Sequence, residues 1–481
     1  METVLQSDKT RKKCQVFTPD EIVNNMLDYL GYHTNLMGKK VLENACGDGH
    51  FLKEIVRRYV CDCRNNGVAG EKIVQGLSED IYGIEIDQVH YESCLAELDK
   101  ITKSYGINGV KWSIFNRDAL REPIEIDFDY IVGNPPYISY WDLDNSEREF
   151  IKEKYSVCRY GACDYSYAFI QEALSRLKPE GRMAYIVPNS IFKTKSGRLI
   201  RESLLPAITN IYDYTTTKVF SKVLTASAII VVDSLADEEI IVYSDISQEK
   251  NISIRKSDLG DIWTFTEPGN SQTNAKHYFG DCFHVAASVA TQCNKAFVLS
   301  GWIGQGKFIV KGNDRIEMQA VRKAASPKGK KTISQEYIIF PYISENGVIT
   351  RYSEADYRQK FPLTYIYLLT FKEQLEKRAA DEKALWFEYG RSQALSHINA
   401  EQLLISSVIT DAVKVYEIGK DEVPYSGIYI TAKDTDNALP LDDAKAILQS
   451  DAFFDYLKSA GINASGKSFR ITVKNICDYR W

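Results

Sequence analysis

Long apolar segments are missing from this sequence. No uncharged apolar run in its 481 residues approaches the roughly 18 residues that a membrane-spanning helix needs. The first residues, METVLQSDKTRKKCQVFTPDE, contain no apolar core of the kind found in signal peptides. Hydrophobic residues make up 44% of the chain and charged residues 26%, which is typical of folded globular proteins rather than disordered ones. We therefore expect a folded, cytoplasmic protein with no membrane partner.

Cysteines and histidines at metal-binding spacing are missing as well. The ten cysteines are scattered, and the C-x-C formed by Cys61 and Cys63 has no second pair to accompany it. The six histidines are equally dispersed. Reduced thiols in a cytosolic protein are the simplest interpretation, and we predict no metal site.

An overall excess of positive charge is missing too, because the net charge is −6. This excludes a protein coated in basic residues, but a nucleic-acid cleft needs only local ones. Three local runs qualify: Lys9–Lys13, Lys193–Arg201 and Arg322–Lys331. We predict that the last run forms a surface loop, which either contacts phosphates or a groove, or is simply solvated.

The first half of the sequence alternates strand-like and helix-like segments. KKVLENACGDGHFLKEIVRRYV runs from a strand through a glycine-rich turn into a helix, and DIYGIEID and FDYIVGNPPY are further strands. Strands that alternate with helices predict a doubly wound parallel sheet. After about Asp237 this alternation is lost. We therefore predict one domain over residues 1–245 and a second over 246–481, which begins with a connecting region to about 285.

The segment VLENACGDGHFL predicts a ligand site at the end of the first strand. Open α/β sheets bind ligands at the carboxyl ends of their strands, and Gly47 and Gly49 allow the backbone to approach a ligand closely. The third glycine of a dinucleotide motif is replaced by Leu52. Glu43 precedes the loop, so a cationic ligand is favoured over a pyrophosphate.

Acidic residues also follow the next two strands. Glu85 and Asp87 end the second strand, and either carboxylate could accept hydrogen bonds from ribose hydroxyls. Asp118 follows a third strand and could accept from an adenine amino group. Together with Glu43, these acids at successive strand ends predict a ligand that carries adenosine.

The stretch YIVGNPPYISYW contains two prolines directly after an apolar strand. Proline has a fixed φ and no N–H group, so it cannot continue a central strand. The chain must therefore leave the sheet at Asn134 in a stiff turn. Such rigidity indicates that the polar groups of the turn need a defined direction.

Seven segments occur in a characteristic order: FTPDEIVNNML, VLENACGDGHFL, GIEID, RDAL, VGNPPY, DYSYAFIQEAL and GRMAYIVPNSIF. In these segments, over about residues 10 to 235, the chain resembles the γ-class adenine-N6 DNA methyltransferases of type II restriction–modification systems. The resemblance implies a doubly wound mixed sheet of the class I methyltransferase type, with S-adenosylmethionine as cofactor. It also implies double-stranded DNA as substrate, and it leaves a separately encoded cognate restriction endonuclease open as a partner.

The second half resembles the target-recognition domain of the same family less continuously. The recognisable points are Arg378, Trp386, Tyr389, Gly390 and Arg391. We therefore expect a C-terminal α+β domain that recognises the DNA target.

The family pattern assigns cofactor contacts residue by residue. Phe17, Thr18 and Pro19 are expected at the methionine end, Glu85 at the ribose, and Asp118 with Ala119 at the adenine. Asn44 departs from the family, in which proline is usual at this position, and we expect a local adjustment of the loop. The full expected cofactor set is Phe17, Thr18, Pro19, Glu43, Asn44, Ala45, Gly47, Gly49, Glu85, Ile86, Asp118, Ala119 and Asn134.

The resemblance also gives the turn a chemical role. The lone pair of adenine N6 is delocalised, so acceptors aimed at its two N–H bonds would favour the tetrahedral geometry needed for attack on a methyl group. The side-chain carbonyl of Asn134 and the backbone carbonyl of Pro135 would be these acceptors. Pro135 and Pro136 would fix the direction of these dipoles. Tyr137 would stack on the flipped-out base, and the family pattern places Phe220 on its other face.

Alternatives remain at this point. The sequence contains no Pro-Cys pair, which argues against a cytosine-C5 methyltransferase, and no E-x-K triplet, which argues against a fused nuclease. Similar turns occur in enzymes that methylate RNA or protein glutamine, and a non-catalytic DNA-binding subunit could keep the same fold. The additional half of more than 200 residues favours DNA.

Overall fold

The computed structural model describes residues 18–215, 226–265, 277–332, 335–345, 348–391, 395, 397–435, 437–465 and 467–481. The chain divides into two compact units. The first is Met1–Ser271 with Ile462–Lys467, and the second is Gln272–Gly461 with Ser468–Trp481. None of the helices described is long and apolar enough to cross a membrane.

A single sheet organises the first unit. Within the described residues its strands are β1 (Val41–Glu43), β2 (Ile81–Glu85), β3 (Ser113–Asn116), β4 (Phe128–Gly133), β5 (Leu177–Pro188), β6 (Ile208–Asp213), β7 (Ser227–Asp233), β8 (Ile240–Asp245) and β9 (Lys250–Arg255). They lie in the order β3-β2-β1-β4-β5-β7-β6-β8-β9. β1 lies between β2 and β4, where the strand order reverses, and such a reversal creates a crevice at the carboxyl ends.

The sheet is mixed rather than parallel. β1 to β5 pair in parallel, whereas β7 is antiparallel to both β5 and β6. The mixed sheet implied by the family resemblance is therefore confirmed, and the parallel sheet expected from the alternation of elements alone is corrected. No helical pattern separates β6 from β7 in the sequence, and strands joined without a crossover helix run antiparallel.

Helices cover both faces of this sheet. They are α1 (Asp20–Tyr29), α2 (His50–Asn65), α3 (Gly70–Asp80), α4 (Gln88–Ser104), α5 (Asn145–Lys154), α6 (Ser166–Ser175) and α7 (Arg198–Leu204). Successive residues of a strand point to opposite faces. Met183 and Tyr185 of β5 accordingly pack in one hydrophobic cluster with α5, α6 and α7, and Ala184 and Ile186 pack in another with α1 to α4. This two-layer burial fixes the register of β5.

The second unit combines helices and strands, as the expected α+β class requires. Its helices are α8 (Phe279–Cys282), α9 (Asn294–Phe297), α10 (Pro327–Thr332), α11 (Glu354–Lys360), α12 (Pro362–Leu369), α13 (Lys372–Glu376), α14 (Leu441–Leu448), α15 (Asp451–Ala460) and α16 (Val473–Cys477). The strands that follow β9 are β10 (Phe283–Ala287), β11 (Val298–Ser300), β12 (Ile303–Gln305), β13 (Phe308–Lys311), β14 (Asp314–Glu317), β15 (Val321–Ala325), β16 (Glu336–Ile339), β17 (Tyr342–Glu345), β18 (Val348–Arg351), β19 (Gln402–Ile405), β20 (Val408–Ile409), β21 (Tyr416–Ile418), β22 (Glu422–Pro424), β23 (Ile428–Ala432), β24 (Ile462–Ser465) and β25 (Ser468–Arg470). β24 is grouped with the first unit. In the second unit, β10, β23, β19 and β21 form one sheet, and β11, β16, β15 and β22 form another.

The division between the units falls at residues 271 and 272. It lies within the connecting region predicted between 246 and about 285. β9 continues the first sheet beyond residue 245. The roles expected for the two halves remain predictions.

The Arg322–Lys331 run is not the surface loop that we predicted. Val321–Ala325 form β15, and the helix α10 begins at Pro327. Two of the lysines are already paired, because Lys323 lies 3.3 Å from Asp421 and Lys330 lies 2.8 Å from Glu422. The apolar residues between the basic ones place this segment in a sheet, where neighbouring acids neutralise part of its charge.

The Lys193–Arg201 run also contains a structural cation. Arg201 is only 2% exposed and donates to the backbone carbonyls of Ile191, Thr194 and Asp261. Burial lowers the pKa of Lys193 to about 8. A basic run in the sequence is therefore not by itself a contact surface.

Candidate active site

A cavity lies at the carboxyl ends of β1, β2 and β4. Its volume is about 170 Å³. This volume is several times the roughly 30 Å³ that one water molecule occupies in the liquid, so the cavity can admit part of a small organic molecule. Its lining residues are Thr18, Glu43, Asn44, Ala45, Cys46, Gly47, Asp48, His50, Phe51, Ile84, Glu85, Ile86, His90, Arg117, Asp118, Ala119, Asn134, Pro135, Pro136, Tyr137, Ile138, Tyr165 and Phe169.

The glycine-rich loop between β1 and α2 forms one wall of the cavity. Gly47 and Gly49 have φ values of +54° and +84°, which favour glycine because a side chain would be strained there. A Cβ atom at Gly49 would also lie 2.7 Å from Cys94 Sγ. Gly47 lines the cavity, whereas Gly49 does not and instead precedes α2. The two glycines therefore shape the loop, but only the first faces the cavity.

The structure distinguishes the two acids at the end of β2. Glu85 lines the cavity and accepts backbone hydrogen bonds from Gly47 and Asp87, each at 2.8 Å. Asp87 is the N-cap residue of α4, and its carboxylate accepts from the backbone nitrogens of Val89 and His90. Asp87 does not line the cavity, so Glu85 is the acid placed to meet a ligand.

Asp118 lies two residues beyond the end of β3. One of its oxygens accepts from the backbone nitrogens of Leu120 at 2.9 Å and Arg121 at 3.3 Å. Its other oxygen lies 3.6 Å from the Arg121 guanidinium. Asp118 lines the cavity with the neighbouring Ala119. These contacts fix the direction of the carboxylate.

Glu43 and Asn44 lie at the end of β1 and are almost completely buried. Burial raises the pKa of Glu43 well above its usual range, and the nearby Cys94 and Glu85 raise it further. Asn44 accepts a hydrogen bond from the Tyr185 hydroxyl at 2.5 Å. Among the described residues, Glu43 Oε2 and Asn44 Nδ2 find no hydrogen-bond partner. Buried polar atoms are rarely left in this state, and both atoms belong to residues that line the cavity.

The Asn134–Tyr137 turn follows β4 and also lines the cavity. Asn134 Nδ2 donates to Thr18 Oγ1 at 3.3 Å. The ring of Tyr137 is partly exposed to the cavity, whereas its hydroxyl is buried and has no hydrogen-bond partner in the described part of the chain. Burial raises the pKa of this hydroxyl, and so does the nearby Asp164. The turn thus brings to the cavity the Tyr137 ring and the Asn134 amide, which is hydrogen-bonded to Thr18.

Most of the residues predicted from the sequence meet at this cavity, with four exceptions. Phe17 and Phe220 lie outside the described residues. Pro19 is the N-cap residue of α1 and does not line the cavity, and Gly49 does not either. The catalytic and cofactor roles of the residues that do line it remain predictions.

Several lining residues were not predicted. Tyr165 and Phe169 belong to the segment DYSYAFIQEAL: Tyr165 is the N-cap residue of α6, and Phe169, four residues later, lies in its first turns on the same side. That spacing was visible in the sequence. His50, His90 and Arg117 also reach the cavity, and nothing in the sequence distinguished them from surface residues.

The sequence is similar to those of known restriction–modification methyltransferases. The family model described as Eco57I restriction-modification methylase matches residues 71–220. Among curated relatives, the type II methyltransferase M.BstVI of Geobacillus stearothermophilus is 29% identical over 199 residues, which cover 39% of this chain and 35% of the relative. The Escherichia coli type II restriction enzyme and methyltransferase RM.Eco57I is 22% identical over 331 residues, which cover 60% of this chain and 33% of that protein.

The resemblance predicted from the motifs is confirmed. The chain spans about a third of the length of these curated relatives. Among solved structures, the type IIL restriction-modification enzyme MmeI in complex with DNA matches 95% of this chain and 64% of its own, with a TM-score of 0.63 and 15% identity. A nuclease-deletion mutant of the type ISP enzyme LlaGI matches 92% of this chain and 51% of its own, with a TM-score of 0.54 and 14% identity. At such identities these likenesses establish the fold, and the predicted class I methyltransferase fold is confirmed.

Proposed function

We propose that this chain is a site-specific DNA methyltransferase that transfers a methyl group from S-adenosylmethionine to N6 of an adenine flipped out of double-stranded DNA. It would act as the modification half of a restriction–modification system. One observation carries the proposal: a single cavity joins the acids at the ends of β1 and β2, and Asp118 beyond β3, to the Asn134–Tyr137 turn at the end of β4. The family match over residues 71–220 supports it.

The residues around the cavity fit S-adenosylmethionine. Glu43 Oε2, a buried acceptor with no hydrogen-bond partner in the described part of the chain, suits a positively charged group. Glu85, held by two backbone nitrogens, suits the ribose hydroxyls. Asp118 and Ala119 suit the adenine, and Thr18 suits the methionine end. When bound, the cofactor supplies an electrophilic methyl group on a sulfonium.

The turn supplies the groups that act on the acceptor nitrogen. Asn134 Nδ2 donates to Thr18 Oγ1. The side-chain oxygen of Asn134 is the end proposed to accept from the adenine amino group. The Pro135 carbonyl is the second acceptor. Hydrogen bonds that strengthen as N6 becomes tetrahedral stabilise the transition state more than the ground state. The prolines hold these dipoles in place before the reaction, so no reorganisation is needed.

Tyr137 holds the flipped base in this proposal. Its exposed ring face offers an area for stacking, and its hydroxyl is directed into the protein. Flipping costs a few kcal/mol, which stacking in the pocket offsets. Phe220, which lies outside the described residues, is proposed for the other face of the base.

The second unit is proposed to recognise the DNA sequence. Specific readout would come from side chains that contact base edges in the major groove. The MmeI structure is a complex with DNA, which supports double-stranded DNA as the partner. A separately encoded restriction endonuclease is left open as a functional partner, since relatives such as M.BstVI are type II methyltransferases.

The substrate class can be tested by transfer of a labelled methyl group. The protein is incubated with labelled S-adenosylmethionine in three separate reactions, which contain unmethylated duplex DNA, total RNA or denatured protein as the acceptor. We expect incorporation into duplex DNA alone. Incorporation into RNA or protein would replace the proposal with an RNA or protein-glutamine methyltransferase. Cofactor binding without transfer to any acceptor would instead indicate a non-catalytic DNA-binding subunit.

A further inference from the structure

Two loops leave the first sheet at the same edge as the Asn134–Tyr137 turn. β4 and β5 are parallel, so the residues that follow β5 emerge beside the turn that follows β4. The segment that leads into α6 reaches the same edge, because the Tyr165 backbone nitrogen donates to the carbonyl of Ile138 at 3.0 Å. Tyr165 and Ile138 both line the cavity. The segments 156–165 and 189–202 therefore lie at the edge of the sheet that is proposed to receive the target base.

These two segments touch each other and are rich in basic residues. A Cβ atom at Gly161 would lie 3.6 Å from Ser196 Cβ, so the loop before α6 packs against the loop after β5. Together the segments contain five basic and two acidic residues, whereas the whole chain has a net charge of −6. Positive charge is thus concentrated at this edge although the chain as a whole is acidic.

The cations of the two segments differ in how far the protein already satisfies them. Arg201 is buried against backbone carbonyls, and Arg198 pairs with Glu202 at 3.0 Å. Arg159 and Lys195 are exposed, and the side chain of neither has an ion-pair or hydrogen-bond partner among the described residues. These two cations are the ones that an anionic partner could neutralise without breaking a contact.

Tyr160 adds an exposed aromatic ring beside these two cations. It is 69% exposed, and its ring contacts no other ring or cation in the described part of the chain. Five positions separate it from Tyr165, so the chain holds the two Cα atoms within about 18 Å of each other. An exposed ring among cations suits a nucleic-acid strand, because the cations meet phosphates while the ring packs on the strand.

We infer that Arg159, Tyr160 and Lys195 form a contact for the sugar–phosphate backbone of duplex DNA, close to the flipped nucleotide. The inference rests on the proposed function, which supplies the DNA substrate. It goes further because it gives the first unit a part in holding DNA, besides the second unit that is proposed to read the sequence. A base flips by rotation about its own backbone, so a grip on that backbone keeps the strand in place. Phosphate contacts carry no sequence information, so this one should act on every sequence alike.

The salt dependence of DNA binding tests the inference. Full-length protein that carries both Arg159→Gln and Lys195→Gln is compared with wild type on two unmethylated genomic duplexes, one that the wild type methylates and one that it does not. We expect the slope of log affinity against log salt to become shallower by about 0.9 for each cation removed. The loss of affinity at a given salt concentration should be the same for both duplexes.

Two further variants serve as matched controls for the charge. Lys111 is also exposed and without an ion-pair partner in the described ranges, but it precedes β3, at the opposite edge of the sheet. Lys111→Gln should leave the slope unchanged. Arg198→Gln removes a cation that Glu202 already neutralises, so it should change the slope less than Lys195→Gln does.

The ring is tested separately from the charges. Tyr160→Ala should weaken DNA binding about three- to tenfold without changing the salt slope, because the ring is uncharged. Leu235 is 63% exposed and lies where the chain returns to the amino end of β5, since the neighbouring Ser234 donates to the Gly181 carbonyl. Leu235→Ala should therefore leave DNA affinity unchanged. Equal affinities of Tyr160→Ala and wild type would remove the ring from the contact.

The outcomes distinguish this inference from the proposed function. An unchanged slope in the double variant, or a loss of affinity confined to the methylated duplex, would overturn the backbone contact and leave the proposed function standing. Wild-type protein that shows the expected change of slope but methylates no DNA would refute the proposed function and leave the contact. Wild-type protein that binds no duplex DNA would refute both.

Discussion

The side-chain nitrogen of Asn134 donates a hydrogen bond to the hydroxyl of Thr18 over 3.3 Å. These residues are 116 positions apart, and they join the turn after β4 to the segment that precedes α1. Thr18 is expected at the methionine end of the cofactor and Asn134 at the target base. One hydrogen bond therefore couples the two substrate positions of the proposed reaction.

Replacement of Asn134 should separate chemistry from cofactor binding. We expect Asn134→Ala to lower the rate of methyl transfer about 100-fold or more, by analogy with the loss of one preorganised polar group at a reacting centre. Its affinity for S-adenosylmethionine should stay within about threefold, because Glu43, Glu85 and Asp118 remain. Single-turnover kinetics and equilibrium binding measure the two effects.

Asn251→Ala is the matched control, because Asn251 is an exposed residue on the edge strand β9. It should leave both measurements unchanged. Methyl transfer by Asn134→Ala at the wild-type rate would contradict the proposed role of Asn134.

Tyr137 should need its ring but not its hydroxyl. The hydroxyl is buried and has no hydrogen-bond partner within the residues described, so Tyr137→Phe should retain activity within about threefold of wild type. Tyr137→Ala removes the stacking face, which is worth about 1–3 kcal/mol per base, so DNA affinity or turnover should fall roughly ten- to hundredfold. Steady-state kinetics on duplex DNA would show the contrast. Equal losses in the two variants would contradict a stacking role.

Cofactor affinity should rise with pH through Glu43. Burial, with Cys94 and Glu85, raises the pKa of this carboxyl, so the ligand-free protein keeps the proton at pH values where an ordinary glutamate has lost it. A cationic ligand favours the ionised form, and binding must then release a proton. Affinity should increase by up to about tenfold per pH unit until the raised pKa is passed.

Without ligand, the raised pKa of Glu43 makes the free energy of unfolding fall as pH rises. The contribution of the protonated Glu43 side chain is fully present below the pKa of about 4.3 that a glutamate has in the unfolded chain, and it is lost as pH rises through the pKa of Glu43 in the folded protein. Calorimetry of S-adenosylmethionine binding in buffers of different ionisation enthalpy counts the protons that binding releases, and denaturation at several pH values measures the effect on stability. Glu43→Gln should abolish both pH effects, and an unchanged pH slope in that variant would exclude Glu43 as their origin.

Lysines on α10 should differ in their contribution to DNA binding. Lys330 is paired with Glu422, whereas Lys328 and Lys331 are exposed and have no ion-pair partner in the described ranges. If α10 contacts phosphates, Lys328→Gln with Lys331→Gln should flatten the slope of log affinity against log salt by about 0.9 per lysine. Lys330→Gln should change it less. An unchanged slope in the double variant would remove α10 from the interface.

Arg378 should stabilise the second unit rather than read DNA directly. Its guanidinium donates to the backbone carbonyls of Thr291, Leu375, Trp386 and Glu388 at 2.7–2.8 Å. Lysine cannot reproduce this fork of donors, so Arg378→Lys should lower the free energy of unfolding by about 3 kcal/mol. Urea denaturation measures this loss. The exposed Arg315 provides a control, since Arg315→Lys should leave stability nearly unchanged.

The position of the cavity could be predicted because parallel strands end at one edge of a sheet. Glu43 and Glu85 end the first two strands, and Asp118 and Asn134 follow the next two, so their convergence needs only the strand order of the fold. The stiffness of the Asn134 turn was equally visible in its two prolines. These features depend on local sequence and on topology alone.

Other features depend on contacts that local sequence does not encode. The choice of Glu85 over Asp87 depends on which acid caps α4, and the Asn44 to Tyr185 bond depends on the register of β5. The Arg322–Lys331 run was wrongly expected to form a loop, because its charges concealed the apolar residues that pair in β15.

The most direct test of the central claim is the identity of the modified nucleoside. Unmethylated genomic DNA is incubated with the protein and S-adenosylmethionine, digested to nucleosides, and analysed by mass spectrometry beside an Asn134→Ala control. The account predicts N6-methyladenine, present with the wild-type protein and absent with the variant. N4-methylcytosine as the sole product, or no modified nucleoside from protein that binds the cofactor, would contradict it.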